Sequence, residues 1–320
     1  MKTAIITGVS GQDGSYLSKL LVEKNYRVIG LVRSYVNSNL SGLEYLGVKD
    51  KIIIKECDLL NITQIISIIQ QYQPNEIYNL SAQSSVSISF KQPIETINYN
   101  LNSVLNLLEA IRLLDKSIKF FQASSSEIFG ASNMLPINEG SAFHPLSPYA
   151  ISKASSHWVG VNYRDVYDMF VCNGILFNHE SYLRSNNFFI KKVIQESIRI
   201  SQGKQDVLRV GNIEIKRDFG YAPKFVESMY LMLQNSKADD FVICSGQSTS
   251  LKEIVLYIFN KFQIHSDKLV VDPNLYRPND VENIFGDNTK AKQQLNWEYS
   301  CNFYSVIDML IEEEMNNWEK

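Results

Sequence analysis

The sequence predicts an α/β protein with a doubly wound parallel sheet and a smaller mixed α/β domain. Short apolar runs, typical of buried strands, alternate along the first half of the chain with segments whose apolar residues recur every three or four positions. A glycine-rich turn also joins the first of these runs to the first helical segment. Strands that alternate with helices form βαβ units, and right-handed crossovers then give a parallel sheet.

Six strands are predicted, over residues 3–7, 26–32, 51–58, 76–81, 118–124 and 169–177. Helical spacing of apolar residues follows at Leu17, Leu20 and Leu21, again over 65–69, then over 94–114 and 220–234. The alternation weakens after about residue 178. We therefore expect one domain of residues 1–177 plus about 211–237, and a smaller domain of about 178–210 plus 238–320.

Bulk composition excludes several classes of protein. The chain has 320 residues and a net charge of −3, which favours neither nucleic acid nor an anionic membrane as a partner. No apolar run approaches the ~18 residues of a membrane span. The four cysteines are scattered without a CxxC pair, so we expect reduced thiols and a cytoplasmic protein. No metal site is predicted.

The glycine-rich turn predicts a dinucleotide site. Gly8, Gly11 and Gly14 lie between the first strand and the first helix, where glycine permits a tight turn and a close approach of the backbone to a pyrophosphate. The start of the following helix offers N–H groups and a partial positive charge to phosphates. The first domain is therefore predicted to be Rossmann-type.

The end of the second strand bears on which dinucleotide binds. An NAD site usually has an acid there for the ribose 2′-hydroxyl, whereas this chain has Arg33, which suits a 2′-phosphate. NADP is therefore favoured, with NAD as the alternative. Asp58 ends the third strand, where its side chain could accept a hydrogen bond from the adenine amino group. Small residues over 79–83 let a dinucleotide cross the sheet edge.

A tyrosine and a lysine one helical turn apart predict redox chemistry on an alcohol. Tyr149 and Lys153 have three residues between them, and Ser147 and Pro148 before them are typical of a helix start. A free tyrosine has a pKa of about 10, and lowering it by three units needs about 4 kcal/mol. One positive charge at ~4 Å supplies about that much, so Lys153 and a nicotinamide cation can make Tyr149 a base.

A carboxylate at the same sheet edge predicts a second proton transfer. Glu127 follows the carboxyl end of the fifth strand, where ligands bind in open α/β sheets. Ser125 stands two positions earlier, so both side chains can face the same crevice if the strand continues that far. A redox pair beside a base indicates an oxidation coupled to removal of a neighbouring proton.

The chain resembles the GDP-mannose 4,6-dehydratase family, which are nucleotide-sugar dehydratases among the extended short-chain dehydrogenases/reductases. The resemblance covers nearly the whole chain. Its most specific motifs are GQDGSYL, FNHES and KRDFGY. The similar stretches are residues 7–17, 79–84, 122–127, 149–153, 176–181, 216–221 and 277–278.

The resemblance implies a reaction and a role for each matching position. Tyr149 and Lys153 would oxidise C4 of a GDP-sugar, Glu127 would remove the C5 proton, and water would leave from C6 with a proton from Glu127 or Ser125. Hydride would return from NADPH to C6 and give a 4-keto-6-deoxy sugar. The implied cofactor contacts also include Gln12, Asp13, Leu59, Leu80, Ser81, Ala82 and His179. The implied substrate contacts are Ser84, Ser126, Asn178, Asn187, Lys192, Arg217 and Arg277.

Departures from the family pattern affect specificity and assembly more than chemistry. Ser125 stands where the family usually has threonine, which keeps the hydroxyl. Residues 181–185 and 33–39 differ from segments that join cofactor sites in tetrameric relatives. We therefore expect a homo-oligomer, dimer or tetramer, and either GDP-mannose or a related sugar such as GDP-manno-heptose. The alternative functions are a 4-epimerase or 4-reductase of the same superfamily, and a non-catalytic nucleotide-binding protein.

Overall fold

The computed structural model describes residues 1–132, 134–276 and 278–318. Its strands are β1 (Thr3–Thr7), β2 (Arg27–Val32), β3 (Ile53–Glu56), β4 (Glu76–Asn79), β5 (Lys119–Ser125), β6 (Val171–Leu176), β7 (Asn178–Glu180), β8 (Leu208–Val210), β9 (Lys216–Arg217), β10 (Phe219–Tyr221), β11 (Asp240–Ile243), β12 (Thr249–Ser250), β13 (Leu269–Val271) and β14 (Asn283–Ile284). Its helices are α1 (Gln12–Glu23), α2 (Ser41–Tyr45), α3 (Ile62–Tyr72), α4 (Val86–Lys91), α5 (Pro93–Leu114), α6 (Pro148–Tyr167), α7 (Phe189–Ser201), α8 (Ala222–Gln234), α9 (Leu251–Lys261), α10 (Thr289–Leu295) and α11 (Phe303–Asn317).

A seven-stranded parallel sheet forms the larger layer of the molecule. Its strand order is β3-β2-β1-β4-β5-β6-β11, and every neighbouring pair is parallel. The chain moves outward in one direction from β1 to β3 and in the other from β4 onward. The carboxyl ends of β1 and β4 therefore flank the topological switch point, where open α/β sheets bind ligands. The predicted Rossmann-type sheet is confirmed.

Helices bury both faces of this sheet. On one face, α1 and α8 contribute Leu17, Leu21 and Phe225 to a core with Phe121. On the other face, α3 and α5 pack Ile65, Leu107, Leu108 and Ile111 against Phe120. The sheet is thus buried on both sides, which explains why its strands read as continuous apolar runs.

The six predicted strands are confirmed, with bounds that agree to within two residues at each end, but the sequence division misplaces β11. Residues 238–320 were expected in the smaller domain, whereas β11 pairs with β6 at the edge of the main sheet. Ala291 and Leu295 of α10 pack in the same core as Phe241 of β11. Helix α8 is thus the crossover of one more βαβ unit. The sequence analysis did not predict this unit because β11 has only four residues. The rest of the domain division stays a prediction.

The smaller lobe has its own apolar core between three helices. Ile194 of α7, Ile254 of α9 and Ile307 of α11 are fully buried there, and Phe219 stacks on Phe303 at 4.9 Å. Three short sheets accompany it, with strand orders β10-β7, β12-β9-β14 and β13-β8. Among the described residues, no helix combines the length and apolarity needed to cross a membrane.

Asp218 stabilises the segment that runs between the main sheet and the smaller lobe. Its carboxylate, which has no exposed surface, accepts hydrogen bonds from the Ser245 amide at 2.8 Å and hydroxyl at 2.6 Å. The amides of Gly246 and Gly286 donate to it at 3.0 and 3.3 Å. One carboxylate thus joins β9–β10 to the loops after β11 and β14.

We expect Asp218→Ala to lower the free energy of unfolding by about 3 kcal/mol, because it leaves several buried donors unpaired. Asp308→Ala is the matched control, since Asp308 pairs with Lys261 at the surface and should cost less than about 1 kcal/mol. Urea unfolding followed by circular dichroism measures both variants. Equal losses in the two would contradict the role given to Asp218.

Candidate active site

A cavity of about 200 Å³ lies at the carboxyl ends of β4, β5 and β6. Its walls come from the main sheet and from the smaller lobe, because residues between β6 and α7 close one side of it. Many of the predicted site residues line it together. These are Asp13, Leu80, Ala82, Ser84, Ser125, Glu127, Tyr149, Lys153, Asn178, His179 and Asn187.

The glycine-rich turn has the tight geometry that the sequence predicted. Gly8 has a φ of +65°, and a Cβ there would lie 3.0 Å from the Leu80 carbonyl carbon. A Cβ on Gly14 would lie 2.3 Å from the Gly8 oxygen, so the helix can approach the strand only with glycine there. Gly11 caps α1 without a side-chain hydrogen bond, and Gly11 and Gln12 line an adjoining cavity of about 1010 Å³.

Thr7 is a structural contributor that the sequence analysis missed. Its hydroxyl donates to Asn79 at 2.6 Å and accepts from the amides of Leu80 and Ser81, both at 3.1 Å. The end of β1 thereby fixes the turn after β4, along which Leu80 and Ala82 reach the cavity. A polar residue that closes an otherwise apolar strand was the available signal.

Tyr149 and Lys153 lie side by side on α6 and are nearly buried, with 8% and 5% of their surfaces exposed. Ser147 caps this helix through the Ala150 amide at 3.0 Å, as the sequence predicted. The Lys153 ammonium donates to the Ala123 carbonyl at 2.8 Å and lies 5.9 Å from the centre of the Tyr149 ring. Helix α6 thus presents both groups to the end of β5.

Burial acts on both groups in the direction that disfavours charge. It lowers the pKa of Lys153 to about 8, against a smaller opposing effect of Asp13. It raises the pKa of Tyr149 to about 12, while a hydrogen bond with Ser125 and the charge of Arg184 act the other way. Tyr149 therefore needs a further positive charge beside it before it can act as a base.

Ser125 and Glu127 line the cavity at the carboxyl end of β5. Ser125 ends β5 and is buried, and its hydroxyl accepts from the Glu127 amide at 3.3 Å. Glu127 is partly buried and close enough to Tyr149 to oppose ionisation of the phenol. The strand ends at Ser125 and does not continue to Glu127, contrary to the condition set by the sequence analysis. Glu127 reaches the same cavity from the 3-10 turn Ser126–Phe129.

His179 and Asp13 form an ion pair that joins the glycine-rich turn to β7. The His179 Nε2 donates to Asp13 at 2.9 Å and its Nδ1 donates to the Phe177 carbonyl at 2.7 Å. Burial alone would raise the pKa of Asp13, but the charge and hydrogen bond of His179 hold it below its usual value.

Arg184 is a cation at this site that the sequence analysis did not assign. It lines both the 200 Å³ and the 1010 Å³ cavities, and its guanidinium lies 3.6 Å from the centre of the Phe188 ring. The buried Glu180 carboxylate is 3.6 Å from its Nε. An acid four residues before an arginine was the only sequence signal for this contact.

The predicted adenosine end lies at the carboxyl ends of β2 and β3. Arg33 is exposed there, with its guanidinium 4.7 Å from the centre of the Tyr99 ring, whose hydroxyl is 2.7 Å from Ser81. Asp58 is partly buried and accepts from the Leu60 amide at 3.0 Å. The buried Leu59 gives its carbonyl to Asn106 at 2.9 Å.

The remaining predicted substrate residues do not all gather at the cavity. Lys192 lines a separate cavity of about 370 Å³ and donates to the Arg209 carbonyl at 2.7 Å. Arg217 lines a small cavity that Glu127 also lines, and it donates to the Val281 carbonyl at 2.6 Å. Ser126 is buried outside the lining of the 200 Å³ cavity. Arg277 lies outside the described residues.

Solved structures share this fold along nearly the whole chain. A UDP-glucose 4-epimerase from Thermotoga maritima, solved with UDP-glucose, superposes with a TM-score of 0.89 at 22% identity, covering 99% of each chain. DesIV, a dTDP-glucose 4,6-dehydratase from Streptomyces venezuelae, gives 0.88 at 18% identity, covering 98% of this chain and 97% of that one. The shared fold, with the Tyr149–Lys153 pair beside the end of β5, is that of the nucleotide-sugar epimerases and dehydratases among these structures.

Sequence comparison narrows this class to one family. The model of GDP-mannose 4,6 dehydratase matches residues 5–310. GDP-mannose 4,6 dehydratase 1 of Arabidopsis thaliana is 40% identical, over 98% of this chain and 90% of that protein. The human GDP-mannose 4,6 dehydratase is 38% identical, over 96% and 90%. The chain belongs to the GDP-mannose 4,6-dehydratase family, as the resemblance indicated.

The buried charge of Lys153 should lower the stability of the fold even though turnover needs this residue. The pKa of Lys153 falls from 10.5 to about 8 on folding, so the buried charge costs about 3 kcal/mol below pH 8. We expect Lys153→Met to abolish turnover yet raise the free energy of unfolding at pH 7 by about 2 kcal/mol, since the lost hydrogen bond to Ala123 offsets about 1 kcal/mol. Urea unfolding at several pH values measures the difference.

The sign of the pH dependence follows from the lowered pKa. The cost of the charge is complete below pH 8 and disappears as pH rises to 10.5, because the unfolded lysine then loses its proton too. The advantage of Lys153→Met should therefore shrink between pH 8 and 10.5. A variant less stable than the native protein at pH 7 would contradict the predicted cost.

Proposed function

We propose that this protein is an NADP-dependent GDP-sugar 4,6-dehydratase, acting on GDP-mannose or a related GDP-manno-sugar such as GDP-manno-heptose. The observation that carries the proposal is the meeting of Glu127 with Ser125, Tyr149 and Lys153 in one cavity. Redox chemistry at an alcohol needs only the tyrosine and the lysine. Loss of water needs a carbon base as well, and Glu127 is that base.

The first step is proton removal from the sugar C4 hydroxyl by Tyr149. When bound, NADP would supply the acceptor for the C4 hydride, the hydride for C6 and the positive charge that a buried phenol needs to ionise. Lys153 is held by the Ala123 carbonyl and adds a second positive charge on the same side. Ser125 hydrogen bonds to Tyr149 and favours the ionised phenol.

The second step is elimination across C5 and C6. A C4 carbonyl acidifies the C5 proton, and Glu127 removes it as general base. The C6 hydroxyl leaves as water with a proton from Glu127 or Ser125. C5 takes back one proton when hydride reaches C6, so the two protons removed by Tyr149 and Glu127 end in the water and in the C5–H bond of the product. Glu127 is partly buried and lines two adjoining cavities, so it can face the sugar in the same cavity as Tyr149.

The surroundings of the cavity suit a sugar diphosphate. Phe188 and Phe189 at the start of α7 line it, and Phe188 caps this thirteen-residue helix without a side-chain hydrogen bond. The first amides of α7 can therefore donate to a diphosphate. Asn178 and Asn187 add amide donors, and Arg184 adds a guanidinium that can bind a phosphate in a bidentate manner.

An epimerase or a reductase of the same fold is the second reading. Both need Tyr149 and Lys153, and neither needs a base for a carbon proton beside them. The proximity of Glu127 to Tyr149 favours the dehydratase. We also infer that the protein is cytoplasmic and homo-oligomeric. Support comes from four free cysteines and from apolar side chains exposed on the paired helices α5 and α6, Ile94, Leu113, Ile151, Trp158 and Val166.

Incubation with GDP-mannose should give a product lighter by one water without net change in NADPH absorbance, and mass spectrometry follows it. Glu127→Gln should lower this turnover by at least about 100-fold while NADP binding is retained, because the amide cannot take the C5 proton. Glu139→Gln is the matched control, since Glu139 accepts from the Val242 amide away from the cavity. Full turnover by Glu127→Gln would show that Glu127 is not the base.

The same assay distinguishes the alternatives. Stoichiometric NADPH consumption would identify a reductase, and a product of unchanged mass an epimerase. Parallel reactions with GDP-mannose and GDP-manno-heptose identify the sugar by their relative kcat/KM.

The preference for NADP over NAD should depend on Arg33. An arginine bound to a 2′-phosphate contributes about 1.5–3 kcal/mol, so Arg33→Ala should reduce the ratio of NADP to NAD affinity by about 10- to 100-fold. Arg27→Ala is the control, because Arg27 begins the same strand at its other end and stacks on Tyr72 at 5.3 Å. Fluorescence titration with NADPH and NADH measures the ratio; an unchanged ratio would refute this role.

A further inference from the structure

Helix α6 faces the end of β5 through three successive turns, and only two of these contacts belong to the chemistry described above. The hydroxyls of Tyr149 and Ser125 lie close enough for Ser125 to lower the pKa of the phenol against the effect of burial, and Lys153 donates to the Ala123 carbonyl at 2.8 Å. One turn further along the helix, His157 lies with its Nδ1 3.2 Å from the hydroxyl of Ser124. Three side chains four residues apart thus meet three consecutive residues of one strand.

The third contact is buried and anchored from behind. His157 exposes 3% of its surface and Ser124 exposes 4%. The Nε2 of His157 lies 3.4 Å from an oxygen of Asp240 at the start of β11. The ring of Phe143 packs edge-on against the imidazole at a centroid distance of 5.0 Å, so the ring plane is fixed as well.

Asp240 is itself held in place by two other side chains. Arg164 of α6 donates to its carboxylate at 2.7 and 3.2 Å, and Asn173 of β6 donates at 2.8 Å. These donors, with His157, hold the pKa of Asp240 far below its usual value despite its burial. The Asp240 carboxylate is thus fixed by Arg164 and Asn173. Because it is fixed, it can orient the imidazole of His157, and we call it the anchor of this contact.

The acceptors around His157 determine its hydrogen positions. The ionised Asp240 can only accept, so the Nε2 that faces it carries hydrogen, and Nδ1 makes the contact with the Ser124 hydroxyl. That contact holds the Ser124 side chain against the helix. Ser124 lies between Ala123 and Ser125, the two strand residues that face Lys153 and Tyr149.

We propose that His157 is a positioning residue for dehydration, an inference that rests on the proposed function. It holds Ser124 against α6, so that the Ala123 carbonyl stays on Lys153 and the Ser125 hydroxyl stays on Tyr149. The anchor of this contact, Asp240, begins the edge strand β11. The geometry of the catalytic strand is therefore set from the outside of the sheet, through Asp240, as well as from the cavity.

Steady-state kinetics of His157→Phe with GDP-mannose and NADP test the proposal, because phenylalanine keeps the packing on Phe143 but removes both nitrogens. We expect kcat to fall about 10- to 100-fold with KM for GDP-mannose changed less than about threefold, since a small displacement of catalytic groups lowers rate more than binding. His157→Asn places an acceptor near the position of Nδ1 and should recover most of the rate. His157→Gln restores only a donor toward Asp240 and should not.

Ser124→Ala is the second arm and guards against a variant that fails to fold. It should lower kcat to a similar extent, and the double variant Ser124→Ala/His157→Phe should be no slower than either single one, because both remove the same contact. Tyr163→Phe is the control: it removes a buried hydrogen bond of α6 to Glu109, at 2.6 Å, away from the site. Its kcat should match the native protein.

Additive losses in the double variant, or rescue by glutamine instead of asparagine, would overturn the proposal. A crystal structure of His157→Phe gives a readout independent of turnover, and the distance from Lys153 Nζ to the Ala123 oxygen should exceed hydrogen-bond length in it. An unchanged distance would also overturn the proposal. Failure of the native protein to dehydrate any GDP-sugar would instead count against the proposed function and leave this structural test in force.

Discussion

The hydrogen bond between the Lys153 ammonium and the Ala123 carbonyl is the contact on which the rest of the site depends. A buried ammonium is costly, and a carbonyl at 2.8 Å offsets only part of that cost. The remainder is supplied by the fold, because α6 is packed along β5 and β6 and cannot carry the lysine elsewhere. The strand end that receives this bond also carries Ser125, and the turn after it carries Glu127. The position of the ammonium therefore brings together the proposed redox pair and the proposed carbon base.

Much of this arrangement could be predicted from the sequence, because its determinants are local. The turn of Gly8, Gly11 and Gly14 is specified by backbone space within seven residues, and the Tyr149–Lys153 pair by helical spacing behind a serine cap. Apolar runs predicted the six strands. In each case the pattern and the structure it forms occupy the same short stretch of chain, so one sequence is sufficient.

The rest depends on contacts between distant segments, which periodicity cannot indicate. Strand β11 is only four residues long, and its place beside β6 follows from tertiary packing. Arg184 reaches the cavity because the segment after β7 folds back over it, and Thr7 matters because β1 and β4 become neighbours. His157 looked like any polar residue in a helix; its contacts with Ser124 and Asp240 span 33 and 83 positions.

The contact between Asp13 and His179 bears on how the binding of the cofactor and the binding of the sugar substrate affect each other. Asp13 belongs to the turn that would hold the cofactor pyrophosphate, and His179 belongs to the segment that closes the sugar cavity. Gln12 strengthens the link, since it accepts from Ser181 at 2.8 Å and donates to the His179 carbonyl at 3.2 Å. A ligand that shifts this unit would change the affinity of the other ligand, and the factor would be the same in both directions. We therefore expect a sequence change on the proposed sugar side of this segment, such as one that fits a new sugar, to alter the affinity for the cofactor as well.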